Sequence, residues 1–89
     1  MLDEANVRDA LSKVIDPALG QDIVTYRVLR SIEIEGDDAL IRLDIPTHAY
    51  PPVLRRELIN RVETAVKGVG AKRVTVIPEV VTEIGRAHV

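Results

Sequence analysis

The sequence predicts an α+β domain, a two-layer sandwich in which two helices cover one face of a small sheet. Two segments, 3–15 and 51–67, repeat apolar residues at helical spacing. Three others alternate apolar and polar residues as strands do, namely 28–35, 39–45 and 73–78. The order helix, strand, strand, helix, strand favours a mostly antiparallel or mixed sheet of three to four strands. The 89 residues suffice for one modest core, so a single domain over 1–89 is expected.

The first helix is predicted from Asp3 to Ile15. Asp3 is a favourable N-cap residue, and Pro17 biases Asp16 away from helical geometry and so ends the helix. The apolar residues at positions 7, 10, 11, 14 and 15 fall on one helical face, which we expect to be buried. A short strand at Ile23-Val24 is expected to follow.

The middle of the chain predicts a β-hairpin that turns at Gly36-Asp37-Asp38. The second helix is expected to run from Pro51 to Lys67, to be capped by Thr47 and to end at Gly68 in left-handed geometry. Segment 79–84 is either a further strand or an extended tail. The uncovered sheet face and Val80-Val81 are the surfaces expected to meet a partner or a second copy of the chain.

Composition excludes several classes of function. The net charge is −2 and only two Tyr are present, without a basic stripe, so nucleic acid is not an expected partner. No apolar run approaches the roughly 20 residues that span a bilayer, and acidic residues stand where a signal peptide would be basic, so we expect a cytoplasmic protein without membrane contact. No nucleophile is paired with a base, so an enzyme is not expected.

The chain contains no cysteine, which excludes disulfides, thiolate catalysis and any cluster held by its own sulfur ligands. Two loops carry the remaining candidates for a site. They are Asp16, Pro17 and Asp22 in the first, and Thr47, His48, Tyr50 and Pro51 in the second. Each Asp is either a turn-forming residue or one side of a cleft that faces the other loop. His48 is either solvated or a metal ligand.

These loops resemble those of the small iron–sulfur cluster assembly domain family, which includes PaaD-type and SufT-type proteins and the front domain of Mrp-type P-loop ATPases. The resemblance rests on Asp16-Pro17, Leu19-Gly20, Asp22-Ile23-Val24, Thr47 and Tyr50-Pro51. The sequence of the first loop is most similar to that of the Mrp-type subgroup. It implies an α+β fold and a role in assembling or delivering clusters through protein partners.

The chain departs from the family pattern at three places beside the two loops. Ala18 stands where Glu is common, Tyr26-Arg27 replaces Leu-Gly, and Tyr50 replaces a Cys. We expect Arg27 to be unable to take the left-handed backbone that a Gly allows, and a Tyr cannot hold a cluster as a thiolate does. The fold is therefore expected to be kept more securely than the metal chemistry.

The leading hypothesis is an accessory module in iron–sulfur cluster assembly or delivery. It acts through protein contacts at the two loops and has no cluster of its own. Its expected partners are iron–sulfur assembly proteins or an attached P-loop ATPase domain, and a homodimer is a further expectation. The chain is either the front domain of a longer protein or a free-standing relative. The alternative is a metal-binding domain that uses His48 with Asp16 or Asp22 as nitrogen and oxygen ligands.

Overall fold

The computed structural model describes residues 2–45 and 50–80 and has an α+β architecture. Its elements are, in chain order, α1 (Glu4–Leu11), β1 (Leu29–Glu35), β2 (Asp38–Ile45), α2 (Pro52–Lys67) and β3 (Arg73–Val80). The strand order is β1-β2-β3, with β1 antiparallel and β3 parallel to β2. The described chain thus confirms the predicted α+β fold, with a mixed sheet of three strands, and the predicted hairpin.

The core lies between the helices and one face of the sheet. In β2 the buried positions alternate as the sequence predicts, and they are Ala39, Ile41, Leu43 and Ile45. The helices supply Val7 and Leu11 from α1 and Leu58, Val62 and Val66 from α2. Aliphatic side chains at helical and strand spacing therefore meet in one layer, which fixes the sheet against the helices. No helix in the described ranges is long and apolar enough to cross a membrane.

The first helix is shorter than predicted. Asp3 is its N-cap and accepts a hydrogen bond from the Asn6 N–H, as expected, but the helix ends at Leu11 rather than Ile15. The Ser12 hydroxyl donates to the Asp9 carbonyl, an interaction that competes with continuing the helix. Ile15 instead forms an antiparallel bridge with Asp22 and is 43% exposed, so its predicted burial is wrong, and Pro17 is not what ends the helix.

The short strand predicted at Ile23-Val24 is a turn instead. The Asp22 carboxylate accepts the Thr25 N–H at 2.8 Å, and the Asp22 carbonyl accepts the Tyr26 N–H at 3.2 Å. Arg27 then takes a left-handed backbone with φ of 60°, so the expectation that Arg27 could not adopt it is wrong. The surrounding hydrogen bonds impose a conformation that costs a side-chain-bearing residue about 1–2 kcal/mol.

Both ends of α2 differ in detail from the prediction. The helix begins at Pro52, and its N-cap is Pro51, which makes no side-chain capping bond. The predicted cap, Thr47, lies outside the described residues. Gly68 is right-handed with φ of −64°, so the left-handed ending predicted there is wrong, and the positive φ falls on Gly70 at 113°. The last strand continues past the predicted end to Val80, while 81–84 lie outside the described ranges.

The sheet face away from the helices is charged rather than apolar. Arg30 lies 3.0 Å from Glu79 and 3.7 Å from Asp44, while Arg42 lies 3.3 Å from Glu33 and 3.8 Å from Glu79. These five residues form an ion-pair network across all three strands. Partially exposed pairs of this kind add little stability individually. They do, however, make this face strongly polar.

Candidate functional site

The first candidate loop is organised around the Asp16 carboxylate, which is fully buried. Asp16 Oδ1 accepts the backbone N–H groups of Ala18 at 2.8 Å and Leu19 at 3.0 Å. The Asp16 N–H donates to the Gln21 carbonyl, and the Asp16 carbonyl accepts the Gly20 N–H, both at 2.8 Å. The predicted turn is therefore present, and the loop closes on itself through one acidic residue.

Tyr50 joins the second loop to the first. Its hydroxyl donates to Asp16 Oδ1 at 2.7 Å, and its side chain is 3% exposed. Burial, reinforced by this bond to a negatively charged acceptor, raises the pKa of the Tyr50 phenol well above its usual value near 10. The phenol is thus a neutral donor at physiological pH. The two side chains are in direct contact and inaccessible, so they do not face each other across an open cleft.

The other oxygen of the same carboxylate has no such partner. Asp16 Oδ2 is buried and accepts no hydrogen bond within the described residues. Arg61 supplies positive charge close by, and its charge partly opposes the rise in the pKa of Tyr50. Asp16 Oδ1 thus accepts three hydrogen bonds, whereas Oδ2 accepts none among the described residues. Because losing a donor to a buried charge is costly, the stability of the buried Asp16 carboxylate depends on the Tyr50 hydroxyl.

Arg61 connects α2 to the start of the first loop through a hydrogen bond. The sequence did not predict this role. Its Nη1 donates to the Ile15 carbonyl at 2.8 Å, and its Nε donates to Glu57 at 3.1 Å. Helical spacing places Arg61 on an outward face of α2. Its hydrogen bond could not be predicted from the sequence, because the acceptor is a backbone carbonyl rather than a side chain. An open groove of about 440 Å³ lies beside it, between residues 13–15 and α2.

Exposed hydrophobic side chains occur on the chain segments that contain or adjoin Asp16 and Tyr50 in sequence. The described residues expose four large ones, which are Ile15 at 43%, Leu19 at 39%, Tyr26 at 55% and Val53 at 79%. Two flank Asp16, Tyr26 follows the Asp22 turn, and Val53 comes three residues after Tyr50. Such residues scattered singly need no explanation, but here they lie on the segments that the buried pair joins.

The remaining candidate residues have different placements. Asp22 caps its own turn, and the Thr25 N–H that it accepts lowers the pKa of its carboxyl group below the usual 3.8. Pro17 follows Asp16 in the closed loop, and Pro51 is the N-cap of α2. Thr47 and His48 lie outside the described residues. Across 2–45 and 50–80, no group of three or more His, Asp or Glu residues could hold a metal ion. The metal-binding alternative therefore stays a prediction.

Comparison with known proteins identifies the family. A sequence model described as "Iron-sulfur cluster assembly protein" matches residues 4–76. The fold is similar to the crystal structure of a domain of unknown function, DUF59, from Bacillus anthracis. The TM-score is 0.76 at 20% identity, covering 85% of this chain and 73% of that one. A search of curated proteins found no significant match. The family match indicates involvement in iron–sulfur cluster assembly, and the chain belongs to the iron–sulfur cluster assembly protein family.

Proposed function

We propose that this chain is an accessory module of iron–sulfur cluster assembly or delivery that works by binding a partner protein and holds no cluster of its own. Family membership supports the process. The observation that carries the contact mechanism is the exposure of Ile15, Leu19, Tyr26 and Val53 on the segments joined by Asp16 and Tyr50. These four residues are called the loop surface below. Large side chains on ordered segments are suited to protein recognition.

Asp16 and Tyr50 act as positioning residues in this proposal. Their burial keeps them from touching a partner, but their 2.7 Å bond ties together two segments separated by 34 positions. The same carboxylate fixes the Leu19 amide, and Arg61 fixes the Ile15 carbonyl. Ordering exposed side chains before binding reduces the entropy lost on association. The buried pair therefore supports the loop surface indirectly.

The residues present do not fit a cluster held by this chain. Thiolates are the usual ligands of iron–sulfur clusters, and the sequence has no cysteine. Tyr50, at the position where the family pattern has Cys, is a neutral phenol whose hydroxyl is committed to Asp16. A cluster is therefore cargo carried by a partner in this proposal. The partner is another iron–sulfur assembly protein or a P-loop ATPase of that process, and the contact takes place in the cytoplasm.

The proposal is tested by measuring how strongly variants with substitutions in the loop surface associate with partner proteins. The tagged chain, Ile15→Glu and Val53→Glu would each be cross-linked in cells of its source and the captured proteins quantified by mass spectrometry. The unaltered chain should enrich iron–sulfur assembly proteins, and each substitution should lower that enrichment about tenfold, the loss expected at a binding hot spot.

Lys72→Glu is a matched control because Lys72 is exposed and bonds to Asp37 at the hairpin end, away from the loops. It should leave the enrichment unchanged. Circular dichroism establishes that each variant is folded. Equal enrichment by the folded loop variants and the unaltered chain would contradict the proposal, as would capture without any iron–sulfur assembly protein.

A further inference from the structure

Two residues of the loop surface, Tyr26 and Val53, lie at the same end of the molecule. The Asp44 N–H, one residue before the end of β2, donates to the Val28 carbonyl, so the turn that contains Tyr26 lies at the end of β2. Val53 lies in the first turn of α2, which follows β2 in the chain. The helix leads back to β3, whose first residue pairs with Asp38 at the start of β2. It therefore runs from this end, called the loop end below, toward the hairpin end.

Each of these two exposed hydrophobic residues has an exposed arginine beside it. Arg27 follows Tyr26 directly in the chain. Arg56 lies three residues after Val53 in α2, and residues at this spacing are neighbours on a helix surface. Neither arginine makes an ion pair with another described residue. Four other arginines are paired with carboxylates, namely Arg8, Arg30, Arg42 and Arg61.

The acidic side chains near the loop end are already engaged within the chain. Asp16 is fully buried, and Asp22 is half-buried and caps its own turn. Glu57 pairs with Arg61. The carboxylates of the open sheet face belong to its ion-pair network, on the other side of the sheet from α2. At the hairpin, by contrast, four of the six residues 33–38 are Glu or Asp, so the two ends of the molecule differ in charge.

We propose that the partner binds the loop surface through an acidic protein segment that also carries hydrophobic side chains, an inference that rests on the proposed function. The hydrophobic side chains of the segment pack against Tyr26 and Val53, and its carboxylates pair with Arg27 and Arg56. Guanidinium groups suit this role because they can bind a carboxylate through two parallel hydrogen bonds. Complementary charges at an interface raise the association rate and select the partner.

A nucleic acid fits the loop end less well than an acidic protein does. Phosphate groups bind helix N-termini through backbone N–H groups, but Pro51 and Pro52 at the start of α2 have none. Nucleic-acid binding also depends on many phosphate contacts, and the chain as a whole carries a net charge of −2. An acidic protein segment needs only a few cations and can cover the exposed hydrophobic side chains as well.

Charge reversal in the capture experiment on the full chain tests the chemistry of the partner. Arg27→Glu and Arg56→Glu should each lower the enrichment of iron–sulfur assembly proteins about tenfold, because each brings like charges together. Arg56→Lys keeps the positive charge and should keep most of the enrichment. Arg73→Glu is the matched control, since Arg73 is exposed and makes no ion pair with another described residue, but lies at the hairpin end. It should leave the enrichment unchanged, and circular dichroism establishes that each variant is folded.

A photo-reactive phenylalanine analogue in place of Leu19 identifies the segment that is bound. Mass spectrometry of the cross-linked assembly protein should locate a segment with more Asp and Glu than Lys and Arg, together with hydrophobic residues. A cross-linked segment without net negative charge would overturn the proposal. Cross-linking mainly to nucleic acid or lipid would overturn it as well.

A further variant, Val53→Ser, distinguishes failure of this inference from failure of the proposed function, because it removes a hydrophobic contact without changing charge. If Val53→Ser lowers the enrichment but folded Arg27→Glu and Arg56→Glu do not, the acidic partner is ruled out and the proposed contact stands. If all three folded variants enrich assembly proteins as the unaltered chain does, both are contradicted.

Discussion

Replacing Tyr50 by Phe removes one hydroxyl group and keeps the buried ring. The hydroxyl donates at 2.7 Å to an oxygen of the fully buried Asp16, whose other oxygen has no partner among the described residues. Hydrogen bonds to charged groups contribute about 1.5–3 kcal/mol. The Ala18 and Leu19 amides remain on Asp16 Oδ1 and retain part of the stabilisation. We therefore expect the free energy of unfolding at pH 7 to fall by about 2 kcal/mol.

Urea denaturation followed by circular dichroism measures this change. The dependence of the unfolding free energy on urea should stay the same, because the ring remains buried and the exposed area on unfolding is unchanged. Tyr26→Phe is the matched control, since Tyr26 is 55% exposed, and its effect should stay within about 0.5 kcal/mol. Asp16→Asn combined with Tyr50→Phe should depart from additivity by about 1 kcal/mol. A loss below about 0.5 kcal/mol for Tyr50→Phe would refute the reasoning.

Three further outcomes are expected. The raised pKa of Tyr50 means that the unfolded chain loses its phenol proton first, so the Tyr50 contribution is complete below about pH 10 and is lost above it, by up to about 1.4 kcal/mol per pH unit. Urea titrations between pH 9 and 11 should show this loss in the unaltered chain but not in Tyr50→Phe. Arg27→Gly should raise the unfolding free energy by about 0.5–1 kcal/mol by relieving the left-handed backbone, and a lower Tm would contradict this. The pKa of Asp22 is lower in the folded chain than in the unfolded chain, so its carboxylate stabilises the fold above about pH 4, and this contribution is lost as the pH falls below that value. Asp22→Asn should therefore flatten the dependence of Tm on pH in the acidic range.

Regular elements could be predicted where one pattern governed both local and tertiary structure. The alternation in β2 and the apolar stripe of α2 placed Ile41 and Leu58 in the core, where the structure has them. The end of α1 could not be predicted in this way. Helical spacing continues to Ile15, but the Ser12 hydroxyl and the bridge from Ile15 to Asp22 pull the chain out of the helix. Local hydrogen bonds with no periodic signal decided that boundary.

The candidate site was predictable as two loops but not as a contact. The sequence placed Asp16 at a turn, whereas the bond to Tyr50 depends on how α2 packs and is visible only in three dimensions. Arg61 escaped notice because its acceptor is the carbonyl of Ile15. The backbone conformation of Arg27 could not be predicted from its residue type alone. Residues with a side chain disfavour left-handed backbone, but the neighbouring turn imposes this conformation on Arg27.

Anaerobic reconstitution with iron and sulfide, followed by absorption spectroscopy, tests most directly the claim that this family member acts by contact and holds no cluster. The unaltered chain and Tyr50→Cys would be treated side by side. Because the chain has no cysteine and Tyr50 is a buried neutral donor, the unaltered protein should acquire no cluster absorption. A stable cluster chromophore on the unaltered chain, at a level equal to that of Tyr50→Cys, would contradict the claim.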